Sequence, residues 1–319
     1  VVVGQGNVAL DCARILAKGQ SGLDHTDIAS RALEVIQGGV KRTVVVGRRG
    51  HVQAAFTIKE LRELVNLAKD GYNTSFVVSE KELNLGTTEA TLNELSGNGS
   101  RPKVRLDKVL RDAASSPSLS QPHEIDIRFL LNPLRFEPSE IGSNKLGAVV
   151  CERTKLEGEP GKQVSIGTGV FETLPAHLAL VSIGYKGVPL PGMNDWFDHK
   201  RGVVINEVGR VEKATEDLGG VYASGWLKRG PSGIIGTNIA DAKFTVSSIV
   251  EDLKEQKVKA SPGVLLSTLL QDRGVEVVDW EGYKRIEASE EHPHRKRHEG
   301  QPREKIVEPY NLLRVARGV

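Results

Sequence analysis

The chain has 319 residues, of which 39% are hydrophobic and 26% are charged, and its formal net charge is +2 at pH 7. These values are typical of a folded protein large enough for two domains, and they exclude a disordered or collagen-like chain. The small net charge argues against a nucleic-acid-binding protein, and no apolar run approaches the roughly 18 residues of a membrane span. The two cysteines, Cys12 and Cys151, make neither a zinc site nor a disulfide framework, so no metal is expected and both are interpreted as reduced thiols.

The first part of the chain alternates between strand and helix patterns. Apolar and β-branched runs predict strands over residues 1–4 and 43–46, and apolar residues at helical spacing predict helices over residues 10–17, 27–37 and 56–67. Thr26 is predicted to cap the second of these helices, and residues 18–25 are predicted to form a loop. This alternation favours a layered α/β fold.

The middle of the chain begins with a change in composition. Residues 84–122 are rich in Gly, Asn, Ser and Pro, which predicts a long surface excursion with one helix near residues 106–114. Strands are then predicted over residues 125–131, 147–155, 163–174 and 178–183, with a turn at 158–162 that joins the second and third as a hairpin. The glycines that follow residue 183 are interpreted as a domain boundary.

The last part of the chain is predicted to contain strands over residues 202–206 and 220–224 and helices over residues 234–253 and 263–270. A polar and charged segment, residues 288–305, follows. Its run of His, Arg and Lys at 292–298 is interpreted as a solvated loop rather than a metal or nucleic-acid site, because charge runs usually stay solvated.

A glycine-rich motif joins the first predicted strand to the first predicted helix. Residues 4–9 (GQGNVA) fit the pattern G-x-G-x-x-A, in which the first glycine permits a tight turn and the second lets a pyrophosphate approach the backbone. The helix N-terminus that follows favours an anion. A turn of this kind without a ligand remains open as the alternative interpretation.

Two arginines follow the second predicted strand, where an NAD-binding fold usually carries an acidic residue. Arg48 and Arg49 suit a 2′-phosphate, which favours NADPH over NADH. On residue type alone, Glu60 on the next helix is interpreted as a salt-bridge partner of one of these arginines, with a bond to the nucleotide as the alternative.

A second glycine-rich region lies near the end of the chain. Residues 220–225 resemble the late strand of two-dinucleotide flavoproteins, with Trp226 at the position that usually holds an Asp on the flavin ribityl chain. Gly233 then opens the long predicted helix. A Trp that simply packs in a core is the alternative interpretation.

Three sequence blocks, residues 4–13 (GQGNVALDCA), 47–63 (GRRGHVQAAFTIKELRE) and 225–237 (GWLKRGPSGIIGT), together resemble the adrenodoxin reductase family of NADPH–ferredoxin reductases. Residues 182–186 (SIGYK) and 302–307 (PREKIV) match as well. The resemblance covers essentially the whole chain, least well over residues 70–122. It implies a two-dinucleotide-binding-domain flavoprotein, with a Rossmann-like NADPH-binding domain at 1–183 and an incomplete FAD-binding domain at 184–319.

The resemblance also implies roles for individual residues. The NADP pyrophosphate and ribose would contact Gln5, Gly6, Asn7 and Val8, the 2′-phosphate would bind Arg48 and Arg49, and Glu60 would bind NADP rather than form a salt bridge. FAD would contact Trp226, Gly233, Ile234 and Ile235, with Gly233 also near the nicotinamide. Asp11 resembles the family carboxylate near both rings, with an ordinary helix-surface acid as the alternative. The ferredoxin would dock on Arg62, Arg101 and Arg105, although Val104 stands where a lysine is expected.

The expected activity is the transfer of electrons from NADPH through FAD to an acidic [2Fe–2S] ferredoxin, on the matrix side of the mitochondrial inner membrane. The family's first FAD fingerprint is missing, and the chain opens inside a predicted strand, so we expect an N-terminal region to be absent. Two alternatives stay open. A glutamate-synthase-type small subunit has a similar plan but needs cysteine clusters, and a non-catalytic NADP-binding module needs no flavin.

Overall fold

The computed structural model of the chain describes residues 1–37, 39–116, 120–211, 213–214, 220–233, 235–258 and 265–319. The chain forms two compact units, one from residues 1–183 with 278–319 and the other from residues 184–277. The predicted division placed its boundary at the same point, but it assigned residues 278–319 to the second domain, whereas these residues pack with the first unit.

The first unit is built on a five-stranded parallel sheet. Its strands are β1 (Val2–Val3), β2 (Arg42–Val46), β3 (Thr74–Val78), β4 (His123–Arg128) and β8 (Leu180–Val181), in the spatial order β3-β4-β2-β1-β8. Alternate residues of β2 serve two different cores, since Val45 packs among the helices while Val44 and Val46 face a second sheet. Burial on both faces is what a parallel sheet requires, and it explains the continuous valine run.

Helices cover one face of this sheet. They are α1 (Asn7–Leu23), α2 (Ser30–Ile36), α3 (Ile58–Val65), α4 (Glu80–Leu85), α5 (Glu89–Ser96) and α6 (Arg101–Ser115). The predicted helices at 10–17, 56–67 and 106–114 correspond to α1, α3 and α6. Residues 84–122 are more regular than predicted, because α5 and all of α6 lie there, and Thr88 caps α5 with its side chain.

Two predictions about the first helices were wrong. The predicted loop at 18–25 is largely helical, because α1 continues to Leu23 through a kink at Gly19, whose φ of 58° a glycine adopts without strain. Thr26 does not cap α2, which begins at Ser30 after Ala29. The Thr26 hydroxyl instead donates to the Leu23 carbonyl, 2.6 Å away, and so closes the end of α1.

An antiparallel three-stranded sheet covers the other face of the parallel sheet. It consists of β5 (Leu131–Pro138), β6 (Leu146–Glu157) and β7 (Val164–Pro175), in the order β5-β6-β7. The predicted hairpin is therefore confirmed. The strand predicted over 125–131 is divided, because Leu130 has a φ of 56° and turns the chain out of β4 into β5.

The second unit contains little regular sheet in its described part. Strands β9 (Phe197–Asp198) and β10 (Val203–Val204) pair antiparallel, and helices α7 (Trp226–Arg229), α8 (Ile235–Lys254) and α9 (Leu266–Asp272) follow. The strand predicted at 220–224 is reduced to one bridge between Arg210 and Tyr222, because the facing residues 207–210 close on themselves as a tight turn. The long predicted helix corresponds to α8, and residues 263–264 of the other lie outside the described part.

The tail forms helices α10 (Trp280–Glu291) and α11 (Pro309–Arg317) in the first unit. Arg297 anchors it there, since its guanidinium bonds Asp24, the Ile28 carbonyl, Ser30 and Glu304. Arg297, predicted to be in a solvated loop, is therefore half-buried and fully hydrogen-bonded. The Ser30 N–H also donates to Glu304, and Arg31 pairs with Glu308, so several polar contacts together hold residues 278–319 to the first unit.

Metal sites, membrane-spanning helices and reactive cysteines were looked for among the residues that the structure describes. No group of three or more His, Cys, Asp or Glu side chains there is arranged to hold a metal, and no described helix has the length and apolar character to cross a membrane. Cys12 and Cys151 are both free. Burial raises the pKa of Cys151 to about 11, so this thiol stays protonated and unreactive.

Candidate functional site

The glycine-rich turn at the carboxyl end of β1 has the construction that a nucleotide site requires. Gly4 has a φ of 127°, and a Cβ there would lie 2.0 Å from the Ser182 carbonyl oxygen, so no other residue fits. Gly6 precedes α1 as its N-cap, and a Cβ there would meet no atom within 4 Å. Ala9 is fully buried against the sheet. The turn thus leaves open space in front of the first N–H groups of α1, where an anion is favoured.

The residues beside these glycines support the turn as well as line it. The Gln5 side chain donates to the Arg128 carbonyl oxygen at 2.9 Å and fills the space beside Gly47. The Asn7 amide oxygen accepts from the Thr57 backbone N–H at 2.7 Å. Val8 is half-exposed on the first turn of α1. Gln5 and Asn7 therefore join the turn to β4 and α3, and their backbone N–H groups are left to face a ligand, since the Gln5 carbonyl already accepts from Ala55 and Phe56.

Arg48 and Arg49 lie just beyond the carboxyl end of β2, and both are exposed. Their backbone is fixed from below, because the Thr154 hydroxyl donates to the Arg48 carbonyl at 2.6 Å and the Leu130 N–H donates to the Arg49 carbonyl at 3.1 Å. Neither guanidinium has an acidic partner among the described residues. Two adjacent unpaired cations on a fixed backbone suit a dianionic group such as a phosphate.

The two acidic residues predicted near this site have local partners. Glu60 accepts a hydrogen bond from the Thr57 hydroxyl at the start of α3 and pairs with neither Arg48 nor Arg49, so the salt-bridge interpretation from residue type alone was wrong. Asp11 forms an ion pair with Arg14 on the next turn of α1, at 2.6 Å. This ion pair within one helix is the contact expected of an ordinary acid on a helix surface.

The three arginines predicted to dock a ferredoxin are exposed and have no acidic partner in the described part of the chain. Arg62 lies on α3, and Arg101 and Arg105 lie one turn apart on α6. These two helices pack against each other in one core through Leu61, Leu64 and Leu106. The predicted docking residues therefore share one pair of helices.

A buried charge network supports the edge of the sheet where the turn and the arginines lie. Glu82 of α4 is 3% exposed and accepts from Arg128, Arg153 and the Phe129 backbone N–H, at 2.9, 2.6 and 2.7 Å. Glu172 also pairs with Arg128. Burial alone lowers the pKa of Arg128, but the hydrogen bond and charge of Glu82 outweigh it and raise that pKa above its ordinary value. The network holds fixed the strand end to which Gln5 is bonded.

In the second unit, the turn predicted to contact a flavin exposes an aromatic pair. Trp226 is half-exposed, and its ring is stacked on that of Tyr185, with ring centroids 6.2 Å apart and an interplanar angle of 28°. The interpretation of Trp226 as a core residue is therefore wrong. Tyr185 belongs to the SIGYK match but received no role from the sequence, because nothing in a linear motif shows that it stacks on the distant Trp226.

Asp241 of α8 organises this turn. Its carboxylate accepts from the Gly225 backbone N–H at 2.5 Å and forms an ion pair with Lys228 at 3.1 Å. Gly225 has a φ of 69°, a conformation that favours glycine. Burial by itself raises the pKa of Asp241, but the Gly225 and Lys228 contacts outweigh it and leave the pKa lowered. Sequence reasoning missed Asp241, since an acid on an amphipathic helix carries no signal of its own.

The last predicted flavin contacts lie at the start of α8. Gly233 has a φ of 86°, and a Cβ there would lie 2.5 Å from the Thr237 hydroxyl oxygen. Ile235 is the first residue of α8, and Ile234 lies outside the described residues. Gly233 thus has a backbone conformation that favours glycine, and its contact with a flavin stays a prediction.

Comparisons with known proteins complete the description of the site. No family model matches the chain. It is 39% identical over 329 residues to the mitochondrial NADPH:adrenodoxin oxidoreductase of Arabidopsis thaliana, and 37% identical over 328 residues to that of Bos taurus. Each alignment covers 99% of this chain, which spans 66% and 63% of those two relatives. The NADPH-ferredoxin reductase FprA of Mycobacterium tuberculosis is 36% identical, with 100% of this chain and 67% of FprA covered.

The solved structures give the same result for the fold. The structure of Mycobacterium tuberculosis FprA in complex with NADPH matches with a TM-score of 0.83 and 34% identity, over 99% of this chain and 67% of that one. The predicted α/β fold class is therefore confirmed. The resemblance inferred from the sequence blocks is confirmed as well.

Proposed function

The chain belongs to the family of NADPH:adrenodoxin oxidoreductases and NADPH-ferredoxin reductases, and from this premise we propose that its complete protein transfers electrons from NADPH through FAD to a ferredoxin. The observation that carries the proposal is the pair of arginines, Arg48 and Arg49, which have no acidic partner among the described residues and lie next to a glycine-rich turn with space at a helix N-terminus. NADPH differs from NADH by the 2′-phosphate for which such a pair is suited.

The first unit provides the parts of an NADP site. The backbone around Gln5, Gly6, Asn7 and Val8 would bind the pyrophosphate and ribose, and Arg48 and Arg49 would bind the 2′-phosphate. Glu60 would reach the nucleotide from α3, and Asp11 would act near the reacting rings from α1. The fit rests on the open space at Gly6 and on the absence of an acidic partner for the arginines within the described residues.

The second unit provides part of an FAD site. Trp226 presents a half-exposed indole face, and Gly233 and Ile235 would place backbone N–H groups at the start of α8. The contact of Ile234 with FAD is proposed from the family resemblance alone. When bound, FAD supplies the step from two-electron hydride acceptance to one-electron release. The protein's own contribution is to orient the rings, which Asp241 does by fixing Gly225 next to Trp226. We accordingly assign residues 1–183 to NADPH binding and residues 184–319 to FAD binding. Within the second range, residues 278–319 pack with the first unit.

The partner would be an acidic [2Fe–2S] ferredoxin of the adrenodoxin type. Arg62, Arg101 and Arg105 support this part of the proposal, because all three are exposed cations on α3 and α6 in a nearly neutral chain. A local positive field steers an acidic partner, and physiological salt screens it over about 8 Å. Reversal of all three charges should slow ferredoxin reduction and flatten its salt dependence, with NADPH-dependent reduction of a small acceptor as the control.

The cellular location is proposed from the relatives. Those of Arabidopsis thaliana and Bos taurus are named as mitochondrial, and FprA is bacterial. We place the protein on the matrix side of the mitochondrial inner membrane, to be tested by fractionation and protease protection of organelles.

A paired-arginine variant tests the proposal directly. Replacing Arg48 and Arg49 with Ala should weaken NADP⁺ binding strongly and NAD⁺ binding little, because each lost charge-assisted hydrogen bond contributes about 1.5–3 kcal/mol. Equal losses for both nucleotides would refute the 2′-phosphate assignment.

Relatives named as ferredoxin and adrenodoxin reductases do not favour the glutamate-synthase alternative. If the complete protein bound NADPH but no FAD, the result would support a non-catalytic NADP-binding module.

A further inference from the structure

His51 is a buried polar residue directly beyond the two arginines. It begins a short 3-10 turn, His51–Gln53, and its side chain is 0% exposed. Its Nε2 lies 2.8 Å from Oδ1 of Asp107, and its ring meets Phe129 edge-on with centroids 5.8 Å apart. Its Nδ1 is buried and has no hydrogen-bond partner within the described residues. A buried ring nitrogen without a hydrogen-bond partner lowers the stability of the fold, so its presence here calls for a functional explanation.

Asp107 connects this histidine to a rigid part of α6. Arg111, one turn later, donates to the same carboxylate oxygen at 2.9 Å and also bonds Asn84 of α4 and Thr87 just after it. Burial alone raises the pKa of Asp107, but the hydrogen bonds and charges of His51 and Arg111 outweigh it and leave the pKa lowered. Asp107 is therefore an ionised acceptor, and Nε2 of His51 donates to it.

The arginine loop is thus fixed at both ends. Its first half is held through the Gly47, Arg48 and Arg49 carbonyls, which accept from Leu131, Thr154 and Leu130. Its second half has His51, two residues after Arg49, bonded to α6. A side chain that must grip a phosphate in a fixed geometry needs a backbone that does not shift.

We propose that His51 is a positioning residue for Arg48 and Arg49, which acts through its bond to Asp107 to let this site discriminate nucleotides that carry a 2′-phosphate from those that lack it. The inference rests on the proposed NADPH specificity and extends it to a residue that touches no part of the nucleotide. Asp107 shares this positioning role, since it provides the only acceptor that the described residues offer to the His51 imidazole.

The test measures binding of two small probes to the 319-residue chain by calorimetry. The probes are adenosine 2′,5′-bisphosphate and adenosine 5′-monophosphate, which differ only in the 2′-phosphate. His51→Leu should lower the ratio of the two affinities about tenfold, equivalent to roughly 1.4 kcal/mol. His51→Gln should keep the ratio, because its amide places a donor near the position of Nε2.

His123 provides a matched control. It is a second buried histidine, 6% exposed, at the amino end of β4 and hence at the edge of the sheet opposite Arg48. His123→Gln should lower the melting temperature and leave the ratio unchanged. If His51→Leu does not fold, Asp107→Ala, at a site 19% exposed, should show the same loss.

The outcomes separate the two proposals. A folded His51→Leu or Asp107→Ala protein with a wild-type ratio would overturn the positioning role and leave NADPH specificity standing. A wild-type chain with no preference for the bisphosphate would overturn both.

Discussion

The two glycine turns of this molecule are stabilised in different ways. In the first unit, the turn at Gly4 follows a buried strand, Ala9 packs in the core, and part-buried hydrogen bonds join Gln5 and Asn7 to neighbouring elements. In the second unit, the turn at Gly225 leaves Trp226 half-exposed and depends on one carboxylate, Asp241. The first site is thus held rigid by packing, and the second by a few polar contacts. The three experiments below test that contrast.

The largest effect is expected at Glu82. Glu82→Ala removes the central acceptor of the buried network and leaves Arg128 and Arg153 without their main partner, so the first unit should lose about 3–5 kcal/mol of stability. Urea unfolding, followed by a probe in the first unit, measures this loss. Glu172→Ala serves as the control, because Glu172 is 29% exposed and its removal should cost far less. Equal losses would show that the network does not depend on burial.

Gly4 and Gly6 form a matched pair that sharpens the role of packing at the first turn. Gly4→Ala forces a Cβ against the Ser182 carbonyl and a positive φ, and it should cost roughly 1–3 kcal/mol. Gly6→Ala meets open space and should leave stability nearly unchanged, while the added methyl weakens nucleotide binding. Thermal unfolding and calorimetry separate the two effects. An unstable Gly6→Ala protein would show that the space at Gly6 is not reserved for a ligand.

The smallest effect is expected at Asp241, and it depends on pH. The pKa of Asp241 is lowered in the folded protein, so its ionised form stabilises the fold above the unfolded pKa of about 3.9, and that contribution is lost as the pH falls through the lower folded value. Asp241→Asn should therefore destabilise the second unit near neutral pH and remove part of the acid dependence below about pH 4. Melting curves from pH 2 to about 7 measure this. An unchanged acid dependence would exclude Asp241 as the group that titrates.

The parts of the molecule that could be predicted from the sequence are those with a local signal. Valine runs and helical periodicity located β2, α1, α3 and α8, and the glycine motif located the turn at Gly4, because each depends on neighbouring residues. The role of Gln5 as a bridge to β4 could not be predicted, since its partner is 123 residues away. The same holds for Asp241 and Tyr185. The bond from His51 to Asp107 spans 56 residues, and no local motif indicates it.

Errors occurred where a local signal competed with a tertiary contact. Thr26 has a residue type that often caps a helix, yet it closes the helix before it rather than opening the next. The charged run 292–298 has the composition of a loop, yet Arg297 in it makes hydrogen bonds to residues near position 24. In both cases the side chains form hydrogen bonds, as their residue types suggest, but the partners are set by the fold and cannot be identified from the local sequence.

The assignment of the tail to the first unit has a consequence for synthesis on the ribosome. Arg297 and Asp24 are separated by 273 residues, and the whole second unit lies between them in the chain. The second unit therefore emerges while the first still lacks helices α10 and α11. Contacts of such high sequence separation form late, and the surfaces that they cover stay exposed until then. The surface around Asp24 and Ser30, which Arg297 covers in the folded chain, therefore stays open to solvent until the tail has been synthesised.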